Sequence, residues 1–91
     1  MKQQIEDFIR YLQEVKHASL NTVSAYQNDL LKMESYLNRQ GIKTASKITE
    51  TSLNSYVLYL EKDGMSPATV SRHIASMKAF LLFLLRNGFI S

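Results

Sequence analysis

Apolar residues recur every three or four positions along most of the chain, which is the spacing of one face of an α-helix. The first such stripe contains Ile5, Phe8 and Leu12, and no segment alternates apolar and polar residues as a half-buried strand does. Short polar breaks divide the chain into four stripes. The pattern predicts four α-helices, at roughly residues 2–16, 20–40, 50–63 and 67–87.

The breaks contain residues that commonly begin and end helices. Ser19 and Ser66 are good N-caps, and Pro67 suits the first helical position because its missing N–H would have no partner there. Gly41 and Gly64 follow the second and third stripes, where glycine often ends a helix. Because the connections are short, successive helices pack against each other, and the expected fold is all-α, a compact four-helix bundle.

Two of these helix starts have nearly the same sequence. "SLNTVS" occupies residues 19–24 and "SPATVS" occupies residues 66–71, 47 positions later. Capping by the serine and core packing by the valine explain part of the match. The alternative is that both starts contact the same partner. The repeat alone does not separate these two interpretations.

The composition limits the class of protein. The chain has 91 residues, of which 45% are hydrophobic and 21% charged, as expected for one small globular domain. Without cysteine it can form neither a disulfide framework nor a cysteine zinc site, which fits a cytoplasmic protein. The longest unbroken apolar run, "AFLLFLL" at 79–85, is much shorter than the roughly 20 residues that span a bilayer, so no membrane association is expected.

The net charge of +3 is unevenly distributed. Residues 1–63 contain eight basic and eight acidic side chains, whereas residues 64–91 contain Arg72, Lys78 and Arg86 and no acid. The whole surplus therefore lies in the last quarter of the chain. This asymmetry favours an anionic partner.

The sequence lacks the motifs of a catalytic site. It has no glycine-rich phosphate loop and no H-E-x-x-H motif, and His17 and His73 are far apart with no ligand spacing. Acidic pairs such as Glu6 and Asp7 are typical of a solvated helix surface. The chain is therefore expected not to be an enzyme by itself, and to use no metal and no cofactor.

Binding is the remaining class of function. The polar side of the second helix presents Asn21 and Asn28, and that of the fourth presents Thr69, Arg72 and Ser76, with alanines between them. Hydroxyls and helix N-termini bind phosphates, while Asn and Arg can reach base edges. These two helices therefore suit DNA binding. If Arg72 reads a base edge, its removal should weaken DNA binding and leave the helical fold intact.

A helical protein–protein interaction module without DNA binding is the alternative. The second half of the fourth helix is apolar nearly all round, because Leu82, Phe83 and Leu85 lie outside its stripe. Such a helix is either central to the core or a docking surface for another domain or subunit. Residue patterns alone leave DNA binding and protein binding both open.

Two long segments of the chain resemble a known family. They are "ASLNTVSAYQNDLLKMESYLNRQGI" and "ITETSLNSYVLYLEKDGMSPATVSRHIASMKAFLLFLLRNGFI". Their order and spacing are similar to L-S-x-N-T-x-x-A-Y-x-x-D-L, then I-T, then G-x-S-x-x-T-V-x-R-x-I-S-A-x-R-x-F, the pattern of the N-terminal core-binding domain of tyrosine recombinases. This family includes the phage integrases and XerC/XerD.

The resemblance implies a SAM-like bundle in which residues 1–91 form one DNA-binding domain and the catalytic domain lies downstream. It implies that the domain grips one side of a recombination site in double-stranded DNA during integration, excision or resolution. The implied partners are this DNA, other recombinase protomers and the catalytic domain of the same chain, with the isolated domain monomeric. The positions implied to contact DNA are Lys16 and His17 ahead of the second helix, Asn21, Thr22 and Asn28 on it, and Ser66, Thr69, Arg72, His73 and Ser76 on the fourth.

Overall fold

Four α-helices and one short 3-10 helix make up the computed structural model, which describes residues 1–91. The predicted all-α, four-helix bundle is confirmed, although the first helix ends at Glu14 and not near residue 16. The turn after Glu14 contains His17, whose positive φ of 51° is incompatible with continuing a right-handed helix. The elements are α1 (Lys2–Glu14), α2 (Leu20–Arg39), the 3-10 helix (Ala45–Lys47), α3 (Glu50–Lys62) and α4 (Pro67–Arg86).

The four helices form two hairpins of equal dimensions. α1 and α3 each have 13 residues, and α2 and α4 each have 20. The short helix of each hairpin is followed by a long one, and the 3-10 helix lies in the connection between the hairpins. The similarity that the sequence shows at two helix starts therefore extends over two whole supersecondary units.

The buried side chains follow the same repeat. Val23 and Val70 are buried at corresponding positions of α2 and α4, and so are Leu37 and Leu84 at the other end. Phe8 of α1 packs against Phe80 of α4, with ring centroids 5.6 Å apart. Neither hairpin can cover its own apolar face, so the core forms where the two hairpins meet. The core consists of Ile5, Phe8, Ile9, Leu12, Val23, Leu30, Met33, Leu37, Ala45, Tyr56, Leu60, Val70, Met77, Phe80 and Leu84.

The two long helices also end in the same way. Gly41 and Gly88 have φ values of 83° and 75°, a left-handed conformation that glycine adopts without strain. The next N–H then turns back to a carbonyl in the last turn, from Ile42 in α2 and from Phe89 in α4, at 2.9 Å in both cases. The start, the length and the end of α2 are therefore reproduced in α4.

α4 is long and apolar enough to cross a membrane by length and composition alone. The expectation from unbroken apolar runs did not anticipate this, because the mean hydropathy of the helix counts its scattered apolar residues as well. Core helices of soluble proteins have the same composition, and α4 buries Val70, Met77, Phe80 and Leu84 against the other helices.

Candidate nucleic-acid interface

The two repeated helix starts have the same hydrogen bonds. Ser19 and Ser66 have φ near −65° and accept the N–H of Thr22 and Thr69, respectively, at 3.2 Å. Each serine hydroxyl also donates to the threonine Oγ1 at 3.0 Å. Because these threonine oxygens act as hydrogen-bond acceptors toward serine, their own O–H groups remain available to donate to an outside acceptor. The first N–H groups of a helix have no partner within it, so α2 can offer those of Leu20 and Asn21 to a phosphate. α4 can offer only that of Ala68, because Pro67 has no N–H.

α2 and α4 cross near their middles. Asp29 and Ser76 are hydrogen-bonded there and are 47 positions apart, the offset that also separates the two starts. The helix starts are therefore equally far from the crossing, about 15 Å along each helix. Lys32 follows Asp29 on α2, and its Nζ lies 3.8 Å from Oδ2 of Asp63. Asp63 is the C-cap of α3, three residues before the N-cap of α4. α2 and α4 thus run in roughly opposite directions. The start of α2 lies on one side of the crossing and the start of α4 lies on the other.

A buried carboxylate joins the two helices at this crossing. Nε of Arg72 donates to Oδ2 of Asp29 at 3.0 Å, and Nη2 donates to Oδ1 at 2.8 Å. The hydroxyl of Ser76 donates to Oδ2 at 2.9 Å, and Nε2 of His73 lies 3.4 Å from Oδ1. Three side chains of α4 therefore surround one side chain of α2.

This cluster contributes to stability through the buried carboxylate. Asp29 is only 3% exposed, and a buried charge is strongly destabilising unless it is paired and hydrogen-bonded. The parallel pair of bonds from Arg72 is the strong, charge-assisted arrangement of a guanidinium on a carboxylate. The side chain of Arg72 is nevertheless 50% exposed, so part of its guanidinium faces solvent. Arg72 is therefore expected to contribute to stability as well as to the surface, a role that the sequence did not indicate.

His73 and Ser76, which the resemblance implies as DNA contacts, are both buried. Nε2 of His73 and Oγ of Ser76 face Asp29 and not solvent, because both residues lie on the side of α4 that packs against α2. In this structure His73 and Ser76 contact the carboxylate of Asp29, which in turn accepts two hydrogen bonds from Arg72. A direct contact with DNA would require both side chains to leave the core.

Burial also governs the protonation of His73. Desolvation lowers the pKa of its imidazole; the nearby Asp29 opposes this shift, and the cations Arg72 and Lys32 reinforce it. Its Nδ1 is buried without a hydrogen-bond partner. His73 is therefore a neutral core residue near pH 7.

The other implied contact residues lie at the surface. Lys16 and His17 are exposed in the connection before α2, and Asn21 and Asn28 are exposed on α2 itself. Lys16, three residues before the N-cap of α2, lines a surface cavity of about 360 Å³ between α1 and α4 together with Arg86. Most of the exposed positions therefore lie at the two helix starts, whereas Asn28 and Arg72 lie between them, near the crossing. The structure contains no group of three or more His, Asp or Glu side chains able to hold a metal ion.

Asp29 is the site residue that analysis of the sequence missed. Its position contained a usable signal, because it lies on the apolar stripe of α2, three residues after Tyr26 and four before Met33. An acidic residue on a core-facing stripe must have a partner. The sequence did not indicate which cation supplies it, because Arg72 is 43 positions away.

Comparison with known proteins identifies the family of this chain. The family model of the phage integrase N-terminal SAM-like domain matches residues 5–88. A tyrosine recombinase XerC of Listeria monocytogenes is 37% identical over 86 residues, which cover 94% of this chain and 29% of the relative. A tyrosine recombinase XerD of Oceanobacillus iheyensis is 38% identical over 89 residues, which cover 96% of this chain and 30% of the relative.

The chain thus spans about three tenths of the length of these curated relatives. No solved structure is significantly similar to it. The family model nonetheless covers all four helices, the two repeated helix starts and the Asp29 cluster. The chain therefore belongs to the family of N-terminal SAM-like domains of phage integrases, within the tyrosine recombinases.

Proposed function

We propose that this domain binds double-stranded DNA at a recombination site, as the N-terminal module of a tyrosine recombinase whose catalytic domain lies downstream. The observation that carries the proposal is the match of residues 5–88 to the N-terminal domain of phage integrases. In this role residues 1–91 grip the DNA, and strand cleavage and transfer belong to the catalytic domain. The domain itself is then a binding module and not an enzyme.

The surface across α2 and α4 supports this function. Its two helix starts present free N–H groups and threonine hydroxyls on either side of the exposed edge of Arg72. Phosphate contacts of this kind fix the register of a protein on a duplex, and the amides of Asn21 and Asn28 can donate to and accept from bases. The proposed contact residues are Lys16, His17, Asn21, Thr22, Asn28, Ser66, Thr69 and Arg72, with His73 and Ser76 acting indirectly through Asp29.

The partners follow from the same assignment. Other recombinase protomers and the catalytic domain of the same chain would join this domain on the DNA, and the isolated domain would be a monomer in the cytoplasm. The parent protein would then catalyse DNA integration, excision or resolution.

Salt dependence of DNA binding tests the proposal. Fluorescence anisotropy with a labelled mixed-sequence 30-bp duplex should give a dissociation constant of about 10⁻⁴–10⁻⁶ M at physiological salt, because the net charge is small. Each phosphate that the domain neutralises should contribute a slope of about −0.9 to the plot of log K against log salt concentration. No binding at low salt, or binding that does not respond to salt, would contradict the proposal.

Two lysine variants provide a matched comparison in the same assay. Lys16→Ala removes a cation beside the start of α2, and Lys43→Ala removes one from the exposed connection between the hairpins. Both change the net charge equally, so any difference reports local contact and not overall attraction. Lys16→Ala should weaken binding and reduce the salt slope by about one, whereas Lys43→Ala should have a much smaller effect.

Protein binding remains the second candidate because of one specific surface. An apolar groove of about 530 Å³ runs between α3 and α4, lined by Leu53, Val57, Ile74 and Leu81 among others. Leu58 on its edge is 57% exposed. Chemical-shift mapping separates the candidates, because DNA should perturb amides along α2 and at the start of α4 and leave the groove unchanged.

A further inference from the structure

The guanidinium of Arg72 has one edge inside the protein and one edge outside it. We propose that Asp29 is a positioning residue for DNA binding, which holds Arg72 so that its outer edge is oriented toward the duplex. This inference rests on the proposed DNA-binding function. It adds a specific role for a buried residue that cannot itself contact the DNA.

The inner edge is fully occupied. Nε and Nη2 each donate one hydrogen bond to the carboxylate, at 3.0 and 2.8 Å. A guanidinium is planar and has five N–H groups, so this side-on pairing leaves both N–H groups of Nη1 and the second N–H of Nη2. These groups point away from the carboxylate. They form a second fork that matches the two oxygens of a phosphate or O6 and N7 of guanine.

Asp29 is itself fixed in place, which is what a positioning role requires. Its side chain is 2% exposed, whereas that of Arg72 is 50% exposed. The hydroxyl of Ser76 holds Oδ2, and the ring of His73 closes off the side of Oδ1 at 3.4 Å. The direction of the outer fork is therefore set by three residues of the core and not by solvent.

The pairing has two opposite consequences for binding. Asp29 cancels the charge of Arg72, which reduces long-range attraction to DNA. It also restricts the rotamers of a long side chain before binding, so less conformational freedom is lost on contact. At moderate salt the long-range attraction is screened over about 10 Å, and the effect of orientation should dominate.

The experiment compares Asp29→Asn in two backgrounds. The full chain is titrated against a mixed-sequence 30-bp duplex at 100 mM NaCl, at a temperature where circular dichroism shows each variant to be folded. With Arg72 present, Asp29→Asn should weaken binding about 3- to 10-fold, the loss expected for one misplaced hydrogen-bonding group. With Arg72→Gln, the same change should not weaken binding, because there is no fork to orient.

Two results would overturn the inference. One is that Asp29→Asn binds DNA as tightly as the parent chain or more tightly, since charge then outweighs orientation. The other is an equal loss in both backgrounds, since Asp29 then acts without Arg72. If the parent chain does not bind the duplex at any salt concentration, the proposed function fails instead, and the two failures are thereby distinguished.

A second variant keeps the test decisive if Asp29→Asn does not fold. Arg72→Lys keeps the positive charge beside Asp29. An ammonium group has no planar edges, so it cannot pair with the carboxylate on one side and present an oriented pair of N–H groups on the other. It should weaken DNA binding by a similar factor while the helical content is unchanged. Unchanged affinity for Arg72→Lys would mean that charge alone is sufficient, which contradicts an oriented fork.

Discussion

At the scale of single residues, Arg72 neutralises a buried carboxylate with one edge of its guanidinium and leaves the other edge exposed. A substitution therefore affects the fold and the binding surface together. His73 and Ser76 serve the same carboxylate from the core side. The exposed edge of Arg72 is thus positioned by residues that are not themselves exposed.

Arg72→Ala should lower both stability and DNA affinity. Removing the guanidinium leaves Asp29 with only Ser76 and His73 as partners, which should cost about 1–3 kcal/mol in the free energy of unfolding. Affinity should fall by about 1–3 kcal/mol if the outer edge contacts a base. Urea unfolding followed by circular dichroism measures the first quantity and anisotropy the second.

Arg10→Ala is the matched control, because Arg10 is 61% exposed and has only a surface pair with Asp7. Such pairs contribute about 0–1 kcal/mol, so this variant should be close to the parent chain in stability. Equal stability of Arg72→Ala and Arg10→Ala would show that the Asp29 pair does not support the fold.

His73 should make the domain less stable as the pH falls. Burial lowers the pKa of His73 in the folded state below the value of about 6.5 for an unfolded chain. Below this pH the unfolded chain therefore binds more protons, and stability decreases until the pH reaches the folded-state pKa. The urea midpoint should be lower at pH 5.5 than at pH 7.5.

Histidine variants assign this pH dependence. His73→Gln removes the buried imidazole, so its urea midpoint should change less between the two pH values. His17→Gln removes an exposed imidazole from the turn before α2 and should keep the dependence of the parent chain. A full pH dependence in His73→Gln would assign the effect to other groups.

At the scale of elements, the helix starts are two copies of one local structure. The same serine cap, threonine contact and buried valine occur at α2 and α4, with hydrogen-bond distances that agree within each pair. Capping and a role toward a partner are compatible here, because the cap uses the serine oxygen and leaves the threonine O–H free. The two starts are separated across the helix crossing and do not form one joint pocket.

Ser19→Ala and Ser66→Ala should each destabilise the domain by about 1 kcal/mol, the usual contribution of a serine N-cap. The two losses should be similar, since the caps have the same geometry. Ser24→Ala and Ser71→Ala are the controls, because both serines are exposed in the same repeats and should have little effect. Urea unfolding tests all four, and equal losses for caps and controls would show that capping is not the function of the serines.

At the scale of the whole molecule, the fold could be predicted from the sequence, but the residues that meet at the helix crossing could not. Helix positions were predictable because apolar spacing and cap residues are local signals, as at Ser19 and Gly41. The pairing of Asp29 with Arg72 was not predictable, because it depends on how one hairpin lies on the other. The burial of His73 and Ser76 was not predictable for the same reason, because the sequence pattern placed both residues on the polar side of α4.

The division into two equal hairpins has a consequence for how copies of the domain can associate. The first hairpin supplies eight core residues and the second supplies six, each supplies one side of the Asp29 cluster, and only the segment 40–49 connects them. A second molecule could supply the same hairpin and restore every one of these contacts. If the segment 40–49 were shortened until one hairpin could no longer reach the other in the same chain, two chains should exchange hairpins. The product would be an intertwined dimer with two complete cores.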